Sequence, residues 1–280
     1  MASDRFEFPE TFDSELEIGE LPGNKAFFGR EVLGGLIGGI DDYIRQRQER
    51  WRRRGSRSMG PGLLGTAMWM DDVEFIDKLT ELSGACVVVT KQPRTKRDLE
   101  KFERLAALNE QTPGLRVAAF PALSDVAPKV DGKPRLVGPY DQIGEDSIPT
   151  IRALGFRRKG NPLVPIMHAK LAILGEFWWH DEGALGEVGD FYGFTPARLW
   201  ISSANFTRQS RRSLEFGYWT EDEGLREAAY RFVLQAIRFS ESLDSAADAL
   251  DPEFVPIEFD DAAMLEAIAD MEFEDEDLDE

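Results

Sequence analysis

A chain of 280 residues with 33 basic and 52 acidic side chains carries a formal charge of −19, which by itself argues against a polyanion as partner. The length provides a sizeable core and fits one large domain or two small ones. No apolar stretch reaches membrane-spanning length, and the acidic start, residues 1–10, lacks a signal-peptide pattern, so a cytoplasmic protein without a membrane partner is expected. The single cysteine, Cys86, lies in the apolar run 85–89. It excludes an internal disulfide and a cysteine metal cluster and reads as a buried strand residue.

The charge is unevenly placed. Residues 251–280 hold fourteen acids and no Lys or Arg, and residues 1–20 hold seven acids and one Arg, which leaves residues 21–250 at +1. A polyanion can approach such a near-neutral body.

In chain order, residues 1–58 read as an N-terminal arm. Its stretch 25–54 has apolar residues at helical spacing, glycine pairs at Gly34-Gly35 and Gly38-Gly39, and an arginine-rich end running from Arg45 to Arg57. The glycines permit close helix packing or break the helix; the arginines face phosphates, an acidic partner or water. Residues 59–245 form the main domain. Strands are expected at 63–69, 85–90 and 115–120, with helices over 71–83 and 95–111, which indicates crossover units and a mostly parallel mixed sheet flanked by helices, an α/β sandwich. Residues 124–162, rich in Pro and Gly, read as a long connection.

Residues 165–174 alternate as a half-buried strand does, which places His168 and Lys170 on one face. A second strand over 198–205 ends in Ser203 and Asn205, with a helix able to begin at Asn205 or Thr207. A strand at 214–220 and a helix over 222–242 follow. Residues 246–280 form an acidic tail, with eight acids in the last eleven residues, too charged to pack alone. It reads as a solvated end, or as a nucleic-acid mimic that occupies a basic groove. The segment 177–182, Phe-Trp-Trp-His-Asp-Glu, is read as an amphipathic hairpin packed on the body or a dimer mate in preference to a base-stacking surface. It lacks further ligands at metal spacing, so no metal is proposed.

His168, Lys170, Ser203, Asn205 and Glu215 together offer a nucleophile, a cation, hydrogen-bond donors and a carboxylate for one phosphate. The bland reading makes His168 a satisfied core histidine and Ser203 and Asn205 helix caps. Lys170 on the same face argues against it, because an unpaired lysine is rarely buried.

The pattern resembles the phospholipase D superfamily: H-x-K, usually an Asp five residues after the Lys, then G-S-x-N, then a Glu about ten residues later. His168, Lys170, Ser203, Asn205 and Glu215 fall on those positions. The chain departs from the pattern at Gly175, which stands where the Asp is expected, and at Ser202, which stands for the glycine. Residues 176–196 read as an insertion. The resemblance covers roughly residues 60–243 and implies a metal-independent phosphodiesterase without cofactors. Such a site uses two copies of the motif, and the only other histidine is His180, so a homodimer with a shared site is implied. His168 of one subunit would form a phosphohistidine and that of the other would protonate the leaving oxygen. Lys170 and Asn205 would neutralise the phosphoryl oxygens, while Glu215, with Ser203, would orient the imidazole.

A short single-motif member looks most like the superfamily's nucleases, so DNA or RNA is the expected substrate and phage defence a fitting setting. Arg157, Arg158 and Lys159 before the motif, with Arg208, Arg211 and Arg212 after it, either form a positive rim for flanking phosphates or solubilise turns and an exposed face. The alternative function is a catalytically weak or inactive interaction subunit of a larger nucleic-acid-processing or defence complex. Phospholipid hydrolysis lacks an amphipathic membrane-binding stretch.

Overall fold

The computed structural model describes residues 12–19, 23–52, 57–91, 96–112, 114–123, 126–130, 133–134, 147–156, 166–181, 190–243 and 251–256. Two short strands come first, β1 (Ser14–Glu17) and β2 (Lys25–Gly29), then the long helix α1 (Val32–Arg52). β3 (Arg57–Ala67), α2 (Val73–Thr80), β4 (Gly84–Lys91) and α3 (Lys96–Gln111) follow. The minor strands β5 (Leu115–Arg116), β6 (Val126–Val130), β7 (Lys133–Pro134) and β8 (Ser147–Ile148) precede β9 (Ile151–Phe156). The chain continues through β10 (Leu171–Asp181), β11 (Asp190–Ser202), β12 (Glu215–Thr220), α4 (Glu223–Arg238) and β13 (Phe254–Pro256).

The central sheet has eight strands in the order β1-β2-β12-β11-β10-β3-β4-β9. Only β3 with β4 and β4 with β9 are parallel; every other neighbouring pair is antiparallel. The protein is therefore α/β with a mixed sheet, and the mostly parallel sheet expected from the sequence is corrected. The cause is local: the crossover helices α2 and α3 join β3, β4 and β9, whereas β10 with β11 and β1 with β2 pair antiparallel as sequence neighbours.

Helices cover both faces. Val32, Leu33, Leu36, Ile37, Ile40 and Tyr43 recur at helical spacing along α1 and bury against Trp200 and Trp219, in one cluster with α2 (Phe75, Leu79) and α3 (Leu105, Leu108). α4 buries Ala229, Val233, Leu234 and Ile237 on the opposite face, with Ile173, Leu199 and the ring group of Phe120, Phe177 and Phe194. Asp72 and Asp222 cap α2 and α4, accepting from the amides of Phe75 and Leu225. Cys86 is fully buried on β4, and that burial pushes its thiol up to about 12.

Several elements differ from expectation. The segment read as an N-terminal arm adds β1 and β2 to the sheet and α1 to the core, because the glycines serve packing: a Cβ at Gly39 would lie 2.1 Å from Trp219 Nε1. The strand expected at 115–120 shrinks to two residues followed by 3-10 turns, since Pro121 cannot donate to a ladder and Phe120 turns into the aromatic group. The long connection contains β9, hidden from pattern reading by Arg152. That side chain is fully buried, donating from Nε to Ser240 Oγ at 2.5 Å and pairing with Glu253 at 2.7 Å.

The described part of residues 176–196, read as an insertion with an amphipathic hairpin, extends β10 and β11 into one long hairpin, paired from Leu171↔Ile201 to Asp181↔Asp190. No helix starts at Asn205 or Thr207; a single 3-10 turn at Ser210–Arg212 takes its place. Residues 251–256 belong to the ordered body through β13, which pairs with β6, and the rest of the acidic tail lies outside the described residues.

Candidate active site

Sheet register assembles the motif residues. β10 begins at Leu171, so His168 and Lys170 lie on the extended segment just before it and not on the strand expected over 165–174. The Ser202 amide nevertheless donates to the Lys170 carbonyl at 3.0 Å, which continues the β10/β11 pairing by one step. Ser203 then pairs with β12, its amide donating to the Phe216 carbonyl at 2.9 Å. The ends of β10, β11 and β12 thus bring the H-x-K segment, the Ser-x-Asn turn and Glu215 to one edge.

His168 is exposed and Lys170 is buried, 7% exposed as a residue. Lys170 Nζ lies 3.2 Å from Nδ1 and 3.4 Å from Nε2 of His168, so the ammonium sits against the imidazole ring. Burial holds the Lys170 ammonium below its usual range, and the charge of Glu215 works in the opposite direction. Glu215 Oε2 accepts from the Ser203 hydroxyl at 2.5 Å, and the same hydroxyl oxygen accepts from the Phe216 amide at 2.9 Å. His168 with Lys170 and Ser203 with Glu215 therefore form two contacting pairs, and the charge of Glu215 bears on Lys170.

Asn205 is placed by a different element. Its Oδ1 accepts from the Met68 amide at 3.2 Å, beyond the end of β3. Its neighbour Phe206 is held by the amides of Asp71 and Asp72, which donate to the Phe206 carbonyl at 2.9 and 3.0 Å. The carboxamide nitrogen has no hydrogen-bond partner among the described residues, which leaves a donor for a ligand oxygen.

Gly175 stands in β10 at a register irregularity, and a Cβ there would meet both Phe194 Cζ and the Thr195 carbonyl at 2.4 Å. No aspartate fits. The next residue, Glu176, is a buried acid with a structural partner: its Oε1 accepts from Arg47 Nε at 2.6 Å.

The arginines expected at a phosphate rim divide. Arg211 grips Asp72 from Nε and Nη2 at 2.6 and 2.9 Å and Glu74 at 2.7 Å, which ties the turn after the motif to the start of α2. Arg208 and Arg212 are exposed, and Arg157, Arg158 and Lys159 lie outside the described residues. Of the arginines running from Arg45 to Arg57, Arg47 on α1 serves Glu176 and Arg57 at the start of β3 stacks over Trp179 at 4.4 Å from the ring centroid. Trp178 Nε1 donates to Thr195 Oγ1, and Phe177 is buried, so this part of 177–182 packs on the body.

Sequence reading missed Asp72 and Met68. Asp72 holds the motif turn through Arg211, and Met68 acts through a main-chain amide, which leaves no trace in a side-chain pattern. No group of three or more potential metal ligands occurs among the described residues. A groove of about 690 Å³ between α1 and the β1–β2 hairpin is lined by Lys25, Phe27, Gly35, Arg198 and Trp219, and none of the five motif residues lines it. No described helix is long and apolar enough to cross a membrane.

No family model matches this chain, and no curated protein matches its sequence. Among solved structures it is similar to NucT from Helicobacter pylori, at 11% sequence identity and a TM-score of 0.41, over 78% of this chain and 98% of that one.

Proposed function

We propose that this chain is a phosphodiesterase with phospholipase D-like chemistry, acting on nucleic acid through a phosphohistidine intermediate. The observation that carries the reading is the pairing of Lys170 with the His168 imidazole, at the same edge as the Ser203–Glu215 hydrogen bond, with the charge of Glu215 bearing on Lys170.

His168 attacks phosphorus with a ring-nitrogen lone pair, a P–N bond forms, and the bond to the leaving oxygen breaks. Lys170 is poised to neutralise the non-bridging oxygens, and the Asn205 carboxamide can donate to them; losing one such contact typically costs about 3 kcal/mol of barrier. An alkoxide leaving group needs a proton, and one subunit contributes a single histidine to the edge. A second copy supplies the other imidazole, which protonates the leaving oxygen, then deprotonates the water that cleaves the P–N bond. The scheme routes no step through a metal. Arg208 and Arg212, exposed beyond the Ser-x-Asn turn, provide cations for the flanking phosphates of a polymer.

The test is to quench the reaction in base with phosphorus-labelled substrate and map the label. A base-stable, acid-labile adduct on the peptide containing His168 supports the reading; an enzyme that turns over without one contradicts it. Gly175 favours a second reading, a non-catalytic nucleic-acid-binding subunit, because the family's Asp has no space there. Binding without cleavage by a correctly assembled dimer would select it.

A further inference from the structure

Thr90, at the end of β4, touches both halves of the motif edge. Its side chain is buried, 3% exposed, and the hydroxyl donates to the Met167 carbonyl at 2.8 Å. That carbonyl belongs to the peptide linking Met167 to His168, so the bond fixes the plane from which the imidazole springs. The Thr90 amide donates to the Met68 carbonyl at 3.3 Å, and the Met68 amide donates to Asn205 Oδ1 at 3.2 Å.

The H-x-K segment needs such an anchor. Residues 166–170 precede β10 and make no strand ladder, so their carbonyls lack the regular partners of a sheet. The Thr90 hydroxyl holds the segment at Met167 and the Ser202 amide holds it at Lys170, with His168 between the two. We propose that Thr90 is a positioning residue: its hydroxyl sets the orientation of His168, and its amide, through Met68, sets the distance from His168 to Asn205. This rests on the reading of His168 as nucleophile.

The variants are Thr90→Val, which keeps the shape and deletes the hydroxyl, and Thr90→Ser, which keeps the hydroxyl. Two readouts are taken on the full chain. The chain has only two histidines, so the ring Cε1–H signal of His168 is assigned by comparison with His168→Ala. Thr90→Val is expected to move that signal and its titration midpoint and to lower kcat by up to ~100-fold with KM within about twofold, since a displacement on the ångström scale is enough. Thr90→Ser is expected to restore both. An unmoved His168 signal with unchanged kcat in Thr90→Val overturns the proposal, as does equal loss in both variants. A moved signal in Thr90→Val, restored by Thr90→Ser, in a protein whose wild type cleaves nothing, supports the positioning role and removes the catalytic reading instead.

Discussion

The Ser203 hydroxyl donates to Glu215 at 2.5 Å while accepting from the Phe216 amide at 2.9 Å, so Glu215 is fixed from the neighbouring strand end and its charge bears on Lys170. Burial already depresses the Lys170 ammonium below the usual 10.5, and Glu215 opposes the fall. Replacing Glu215 with Gln removes that opposition. If the cation at Lys170 is needed, the alkaline limb of kcat/KM moves to lower pH in Glu215→Gln; pH profiles of both proteins check it, and a stationary limb contradicts it.

The same lysine makes a statement about stability. With its folded pKa below the unfolded one, the unfolded chain holds more protons between the two values, so this contribution to stability rises with pH through a window ending near 10.5. At neutral pH the cation costs stability in full. Lys170→Met is expected to raise Tm at pH 7, by roughly 2–4 °C per kcal/mol relieved, while abolishing cleavage. A lowered Tm would mean that the ammonium is held by more than Glu215.

Asp72 joins the motif turn to α2. Burial acts to raise its carboxyl, but the hydrogen bonds from Arg211 and the Phe75 amide outweigh that and hold it below the usual value of 3.8. The stability this supplies is present above 3.8 and is lost as pH falls through the lower folded value. Arg211→Ala leaves a buried carboxylate without its main partner and is expected to cost about 1–3 kcal/mol in denaturant unfolding, with a weaker acid limb. An unchanged midpoint would return Arg211 to the phosphate rim.

Two glycines four residues from their neighbours in α1 separate packing from propensity. Gly39 has no room for a Cβ against Trp219, whereas nothing lies within 4 Å of one built at Gly38. Gly39→Ala is expected to destabilise by ~1–3 kcal/mol through overpacking, and Gly38→Ala to stabilise by up to ~1 kcal/mol through helix propensity. Paired unfolding curves decide it; destabilisation by Gly38→Ala would indicate something packed on that face.

Gly175→Asp is expected to unfold or weaken the protein by ~2 kcal/mol or more, because Phe194 and the Thr195 carbonyl occupy the space. Raised cleavage in this variant would contradict the steric account of position 175.

Local chemistry explains what was legible. Elements whose neighbours in sequence carry the signal, such as the apolar run of β4 or the helices expected over 71–83 and 222–242, lie close to where pattern reading places them. The five motif positions were read as one cluster because their types point to one chemistry; in the structure His168 contacts Lys170 and Ser203 contacts Glu215, at the same sheet edge. Pairing partners far apart in sequence were illegible: nothing local distinguishes β10 as antiparallel to both β3 and β11, and the buried Arg152 of β9 looks polar until Ser240 and Glu253 are seen around it. Arg211 illustrates the converse, since an arginine beside a phosphate motif invites a phosphate and here meets two acids from α2.

The most direct measurement is cleavage of labelled single- and double-stranded DNA and RNA in excess EDTA, comparing the wild type with His168→Ala at equal protein concentration. Wild-type cleavage that survives EDTA and falls by ~10⁴-fold or more in the variant is the expected result for a histidine nucleophile. Cleavage that EDTA abolishes, or that His168→Ala retains, would contradict it.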